Sequence, residues 1–330
     1  MTKYEPPFEI TNEILSLVGE ISEKIGTVTG YNVFDTRPHL RKNNKIKSIH
    51  SSLAIEANSL SIGQVRDVIN GKLVVGPEKE IQEVKNAYAA YEEIPKIDPY
   101  SEQELKRLHG IMTKYTVDRS GEYRTGAEGV FSGEELIFLA PPAYLVSEHM
   151  KNLFIWMNDN KETLHPLILS SIFHYEFVFI HAFEDGNGRM ARLWQTVLLT
   201  KWRPIFEFIP LESQIMDFQE QYYEAIDICN NSGTVTPFVL FMLGAINTIL
   251  DKVKLQLLNS DNRLSEYVRK MLDVMEYDIA YTSSQIMEKL GLKSKETFRK
   301  NYMNPALELG LVEMTVPDKP QSRNQRYIKK

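Results

Sequence analysis

The chain has 330 residues, of which 43% are hydrophobic and 25% charged, and a net charge of −6. That balance suits one large globular domain with a buried core plus a smaller one, and its single cysteine, Cys229, excludes a disulfide framework or a cysteine-rich zinc site. The longest apolar run, Phe238 to Leu250, is interrupted by Asn247 and Thr248 and falls short of the roughly 20 residues a membrane span needs, so a buried helix and no membrane partner are expected. The N-terminal MTKYEPPFEITNEIL lacks a basic start followed by an apolar core, so no signal peptide and a cytoplasmic location are expected. The charge is uneven. From Asp261 onward 13 Lys and Arg face 10 Asp and Glu, a balance of +3, which leaves −9 for the remainder.

In chain order, Glu80 to Glu93 places Ile81, Val84, Ala87, Tyr88 and Tyr91 on one helical face. Ser101 to Tyr115 opens on Ser101 and Glu104, the pattern of a capping box, and continues through Leu105, Leu108 and Met112. Glu128 to Ala140 differs. Its β-prone residues flank Ser132-Gly133-Glu134-Glu135 and stop at Pro141-Pro142, which predicts a β-hairpin. With no sheet to join, such a hairpin is either a structural clasp or an exposed edge that receives another chain. Helices follow at Tyr144 to Asn158, at Pro166 to Ile180 with proline in the first turn, at Arg189 to Trp202, at Asp217 to Asn230 and at Thr236 to Leu258. Apolar periodicity stops at Leu258 to Arg263, LNSDNR, which reads as a linker.

HAFEDGNGRMAR, His181 to Arg192, carries most of the chemistry. Its G-x-G-x-x-A, on Gly186, Gly188 and Ala191, approaches a dinucleotide-binding fingerprint, with FVFI (Phe177–Ile180) and FEFI (Phe206–Ile209) as flanking strands and Glu207 as ribose ligand. Two observations oppose that reading. The apolar pattern before the glycines runs back to Leu167, too long for a typical strand, and no alternation of strands and helices builds a parallel sheet. Read as phosphate chemistry, Gly186-Asn187-Gly188 at the start of a helix forms an anion nest. Arg189 and Arg192, three apart, share a face suited to polyphosphate. Asp185 is a hard oxygen ligand for Mg²⁺, and His181 has the intrinsic pKa of a general base. A lone histidine cap, Gly-Asn-Gly turn or Arg-x-x-Arg face is ordinary; all of them within twelve residues are not. No G-x-x-x-x-G-K-[ST] loop and no kinase motif set competes for ATP.

The stretch resembles the signature of the Fic family, H-P-F-x-[DE]-G-N-G-R-x-x-R, departing only at Ala182, where proline is usual. The segment around 128–140 is similar to the family's flap, with Val130, Phe131, Ser132 and Gly133. SSLAIEANSLS resembles its inhibitory segment, with Ser52 and Glu56, and QYYEAIDICNNSG its adenine-pocket region, with Tyr222, Tyr223 and Asn230. The resemblance spans roughly residues 40–250. It implies a mainly α fold: a Fic-type helical bundle with a β-hairpin flap, in an N-terminal helical region 1–79 (inhibitory segment around 40–58) and a core 80–258. It also implies a protein adenylyltransferase that moves AMP from ATP, with Mg²⁺, to a Tyr, Ser or Thr hydroxyl of a target protein. In that reading His181 is the base and Asp185 the metal ligand. The 186–188 amides and the Asn187 side chain steady the transferring phosphoryl, and Arg189 and Arg192 hold the outer phosphates. The flap aligns the target strand, and Glu56 occupies Arg192 to inhibit. Ala57 stands where Gly or Asn is usual, and Asn58 is the expected left-handed residue. Removal of AMP by the same site is implied for some family members.

Residues 262–330 read as helix, turn, helix and hairpin, a C-terminal winged helix-turn-helix. Its second helix, Ser294 to Leu309, points Phe298, Tyr302 and Leu309 inward, with Pro305 bending or tightening it. Lys293, Lys295, Arg299, Lys300, Arg323 and Arg326 make DNA a candidate partner. The modest charge leaves protein docking or a homodimer as the other candidates. A third function, a DNA-binding regulator whose core only senses nucleotide, stands beside transfer and removal of AMP.

Overall fold

The computed structural model describes residues 4–30, 38–132, 135–261, 265–276, 279–317, 319–320 and 322–329. The chain forms two compact units, Met1–Gly30 with Asn44–Asp251 and Tyr31–Asn43 with Lys252–Lys330. The architecture is mainly helical. In chain order it contains α1 (Asn12–Gly30), α2 (Pro38–Ile55), α3 (Ile62–Ile69), α4 (Glu78–Glu93), α5 (Glu102–Met112), β1 (Gly129–Ser132), β2 (Glu135–Leu139), α6 (Ala143–Asn160), α7 (Pro166–Ile180), α8 (Asn187–Trp202), α9 (Leu211–Asp217), α10 (Gln219–Ser232) and α11 (Thr236–Asp261).

Helix α7 is the centre of the first unit. Every residue from Leu167 to Phe177 is buried, because every face is apolar or carries a polar group with a partner. Ser170 and Ser171 donate back to the Leu167 carbonyl, and His174 is bonded to Gln195 and Tyr222. Its apolar side chains contribute about 1.5–3 kcal/mol each, and Phe173→Ala would remove about 3–5 kcal/mol. Helix α8 packs along α7 and buries Leu193, Trp194 and Val197. The N-terminal arm is strapped over this pair. Tyr4 donates to Glu176, and Val235 N–H donates to the Pro7 carbonyl at 2.8 Å.

Several local expectations are corrected. Ser101 caps α5 by accepting from Glu104 N–H, but the Glu104 carboxylate turns to Arg107 at 2.8 Å, so only half the box forms. The helix expected at Pro166 to Ile180 is present, so FVFI is its end, and FEFI falls in a 3₁₀ turn (Pro204–Phe208); the dinucleotide alternative already opposed by the sequence has no strands there. Helix α8 begins at Asn187, inside the nest, not at Arg189. Helix α11 runs on through Leu258 to Asp261, so the expected linker is helical up to that point; Asn262 and Arg263 lie outside the described residues.

The hairpin is present, with β1 antiparallel to β2, Gly129 opposite Leu139 and a bulge where the register shifts between Val130 and Phe131. Among the described residues these two strands form the whole of the sheet, and no further strand pairs with either edge. Val130, Phe131 and Ser132 lie on β1; Gly133 lies outside the described residues.

The second unit holds α12 (Glu266–Val274), β3 (Ala280–Tyr281), α13 (Ser283–Lys289), α14 (Lys295–Phe298), α15 (Asn304–Glu308), β4 (Val312–Met314) and β5 (Tyr327–Lys329), with sheet order β3-β5-β4. The second helix is widened before Pro305, not tightened. The backbone widens into a π-turn over Arg299–Met303, because proline has no N–H and its ring crowds the carbonyl four residues back. Phe298 and Tyr302 are buried as expected, whereas Leu309 is 38% exposed.

Candidate active site

Helix α7 ends on His181, which takes the left-handed conformation at φ 51° and ψ 58°. That conformation costs a non-glycine residue about 1–2 kcal/mol, and strain of this kind persists where surrounding contacts over-determine it. The contacts are visible. Arg124 Nε donates to the His181 carbonyl at 2.6 Å, and Arg124 N–H donates to the Ala182 carbonyl at 3.0 Å. Phe183 stacks on His109 with ring centroids 3.6 Å apart. Gly121 N–H donates to His109 Nδ1, so Nε2 carries the proton it donates to the Asp185 carbonyl. Burial pushes His109 down to about 4, so the ring is neutral.

The Asn187 amide closes the loop internally: Oδ1 accepts from Phe183 N–H at 2.9 Å and Nδ2 donates to the Phe183 carbonyl at 2.7 Å. These bonds shape the loop and leave the second Nδ2 hydrogen of Asn187, which lines the cavity described below, beside the backbone N–H groups of the first turn of α8, which have no intrahelical partner. Gly186 supplies φ 82° at the turn into α8. Gly188 is needed for space: a Cβ there would overlap Glu56 Oε1 and lie 3.1 Å from Arg192 Nη1. The Glu56 carboxylate thus rests directly over the nest.

The two arginines are both engaged. Arg189 donates to Asp185 Oδ1 at 2.7 Å and has Nη1 3.5 Å from Glu83. Buried Arg192 donates through Nε to Ser52 Oγ at 3.1 Å and through Nη2 to the Ser52 carbonyl at 2.9 Å and Glu56 Oε1 at 2.8 Å. Asn44, Ser48 and Ser52 on α2 and Glu56 just past its end recur every four residues and meet Phe208, Glu212, Arg192 and Arg192 in turn, so this helix docks through a polar stripe. It ends in a Schellman motif: Asn58 N–H reaches the Leu53 carbonyl at 3.1 Å and Ala57 N–H the Ala54 carbonyl at 3.0 Å. The left-handed residue is Ala57, at φ 64°, not Asn58. Asn58 instead ties the helix end to α4, donating to Glu83 at 2.9 Å.

A cavity of about 530 Å³ opens on this site, lined by Glu56, His181, Asn187, Gly188 and Arg192 at the charged end and by Tyr222, Tyr223, Ile226 and Asn230 among others. Tyr222 is buried and bonded to His174, while Tyr223 is half exposed. Asn230 Oδ1 accepts from the Tyr175 hydroxyl at 2.9 Å. The structure therefore brings His181, the nest, Arg192 and all three predicted pocket residues to one cavity. Burial lowers the His181 pKa; the Val178 backbone opposes this, the Arg124 charge adds to it, and Glu56 and Asp185 pull the other way. Burial would raise Asp185, but the Arg189 charge and hydrogen bond, Gly186 N–H and Lys79 outweigh it and hold the carboxylate ionised. Asp185 Oδ1 is taken by Arg189 and Gly186, leaving Oδ2 with Lys79 Nζ 3.8 Å away. Among the described residues no cluster of three or more His, Cys, Asp or Glu forms a metal cage.

Arg124, His109, Glu83 and Lys79 were not singled out from sequence. They lie 57 to 106 positions before the residues they serve, and nothing local distinguishes them. In the second unit Lys293, Lys295, Arg299, Lys300, Arg323 and Arg326 are exposed, and the groove along α14 and α15 mixes Lys295, Arg299 and Lys300 with Glu296 and Glu308.

Comparison with known proteins follows this geometry. The Fic/DOC family profile matches residues 99–199, and a profile described as the C-terminal domain of Filamentation induced by cAMP protein Fic-like matches 266–328. A crystal structure of a Fic family protein from Desulfovibrio desulfuricans G20 is 42% identical, covers 99% of this chain and 98% of its own, and superposes with a TM-score of 0.74. The chain belongs to the Fic/DOC family. Among curated Fic relatives, the protein adenylyltransferase fic-1 of Caenorhabditis elegans is 26% identical over 62% of this chain and 42% of its own length. The protein adenylyltransferase Fic of Nematostella vectensis is 28% identical over 62% and 47%. The chain thus spans less than half the length of these curated Fic relatives. Among the described residues, no helix is long and apolar enough to cross a membrane.

Proposed function

We propose that this Fic protein transfers AMP from ATP to a hydroxyl of a target protein and is held back by its own Glu56. The observation that carries the reading is the Glu56 carboxylate lying over Gly188 and paired with buried Arg192, in the same cavity as His181. An acid occupies both the nest and the cation that a polyphosphate needs, so ATP and Glu56 compete for one place.

With Glu56 withdrawn, the first-turn amides of α8 receive phosphate oxygens, Arg192 holds the outer phosphates, and Arg189 supports them while fixing Asp185. The nucleoside lies toward Tyr222, Tyr223 and Asn230. The target lays an extended segment along an open edge of the hairpin, which presents its hydroxyl to His181. Neutral at pH 7 because burial lowers its pKa, His181 takes the hydroxyl proton. The freed oxygen forms a bond to the α-phosphorus, the bond to the bridging oxygen breaks, and pyrophosphate leaves with that electron pair. Asp185, ionised, would hold Mg²⁺ together with the substrate phosphates, the usual mode for this ion, and the ion would supply neutralisation of phosphate charge.

Removal of AMP by hydrolysis, in which a water oxygen bonds to the phosphorus and the target oxygen leaves and takes up a proton, is the second reading. It is favoured by Glu56 facing the same cavity as His181, where a carboxylate can orient a water. For the second unit, Glu296 and Glu308 in the groove favour protein docking over a DNA backbone.

The test is incubation of the full chain with Mg²⁺ and α-labelled ATP, comparing wild type, Glu56→Gly and Glu56→Gly/His181→Ala. Label on protein that rises with Glu56→Gly and disappears with the second substitution is the expected result. Equal labelling by wild type and Glu56→Gly would sink the inhibitory role, and label that survives loss of His181 would sink the base.

A further inference from the structure

Arg124 is 2% exposed, and among the described residues no carboxylate makes a hydrogen bond or close ion pair with it; Glu128 acts on it only through its charge, and burial outweighs that. A buried guanidinium with no directly bonded acid is poorly explained by stability alone, since desolvation is costly and an apolar side chain of that size serves a core better. Its donors all go to backbone carbonyls. Nε donates to His181, Nη1 to Gly126 at 2.8 Å, and Nη2 to Pro141 and, at 3.4 Å, to Ile180. Its own N–H donates to the Ala182 carbonyl. Gly126 and Pro141 are the two legs of the β1–β2 hairpin, and Ile180 to Ala182 are the end of α7 and the start of the signature loop.

We propose that Arg124 is a positioning residue that locks both legs of the hairpin to the backbone of His181, so that a strand seated on the hairpin and the base that serves it are held as one body. The geometry requires arginine. A planar fork reaches carbonyls in several directions at once, whereas the three donors of lysine leave from one atom. The positive charge also sits at the C-terminus of α7, where the helix dipole favours it. The departure at position 182 sharpens the need. A proline there would fix φ through its ring; Ala182 does not, and hydrogen bonds from Arg124 to the carbonyls of residues 181 and 182 supply that restraint to a histidine already in the left-handed region.

The catalytic half of this inference rests on the transfer reaction proposed above; the mechanical half does not. The test uses the full chain in the Glu56→Gly background, with and without Arg124→Lys, read by amide hydrogen exchange and by turnover. Exchange should rise at least about 10-fold both in the hairpin, 129–139, and in the loop, 180–187, with the body of α8 unchanged. Label transfer and ATP hydrolysis should fall together, by about 100-fold in kcat, as a misplaced reacting group predicts. The Kd for ATP should stay within about 2-fold, because Arg192 and the nest do not touch Arg124.

Faster exchange in the hairpin alone, or in neither segment, would overturn the proposal, as would a loss confined to Kd. Coupled exchange in a parent that transfers no AMP would leave the lock standing and remove the transferase reading. If Arg124→Lys does not fold, a chain with residues 126–141 replaced by a short glycine linker keeps Arg124 and removes its hairpin acceptors. Faster exchange at 180–187 is then expected, and unchanged exchange there refutes the lock.

Discussion

Ala57→Gly should make this protein more stable and more strongly inhibited. Ala57 is the left-handed residue of the Schellman motif that ends α2, at φ 64°. That conformation costs an L-residue about 1–2 kcal/mol, and glycine removes the cost while adding about 0.5–1 kcal/mol of chain entropy to lose. The net gain is about 0.5–1 kcal/mol, or roughly 2- to 5-fold in favour of the docked helix end that carries Glu56. Thermal unfolding should shift upward by about 1–3 °C, and basal label transfer should fall. Ala57→Asn should be nearly neutral, because asparagine tolerates this region, and Ala57→Val should lower Tm. An unchanged or lower Tm for Ala57→Gly would refute the reasoning. A raised Tm with unchanged labelling would separate the cap from inhibition.

Other perturbations follow from single contacts. Gly188→Ala places a methyl on the Glu56 carboxylate and should destabilise by about 1–3 kcal/mol in urea unfolding. In the Glu56→Gly background the loss should shrink by more than about 0.5 kcal/mol, and strict additivity would show that the carboxylate does not lie there. Glu176 is pushed up to about 7 by burial, against the Tyr4 hydrogen bond. The native state therefore binds more protons than the unfolded chain between pH 4.5 and 7, and stability from this group is lost as pH rises through that window. Glu176→Gln should match wild type near pH 4 and exceed it by up to about 3 kcal/mol at pH 8; equal unfolding midpoints at both pH values would contradict this. His109→Leu strands the Asp185 carbonyl and Gly121 N–H in the interior and should lower stability by about 2–4 kcal/mol, with faster amide exchange at Gly121 as the local signature.

What the sequence determined by itself is local. Twelve contiguous residues carry the histidine, the acid, the paired glycines and the two arginines on which the proposed chemistry rests. Helical periodicity located α4 to α8 and α11 to within a few residues, because both kinds of signal are complete within one or two turns of chain. The same locality marks its limits. FVFI passes for a strand in isolation; only the longer apolar pattern back to Leu167 reads it as helix, and α7 is buried along its length. Nothing local shows that the Asn187 side chain also bonds the Phe183 backbone four residues away.

Only the tertiary structure decided how those groups are poised. It placed Glu56 against Arg192 from 136 positions away, and it made Ala57 the left-handed residue. It gave Arg124, whose side-chain donors all reach backbone carbonyls, the task of joining the hairpin to His181. Buried polar groups must find hydrogen bonds somewhere, and which distant carbonyl or carboxylate answers is set by packing of apolar helices whose own sequences do not mention it.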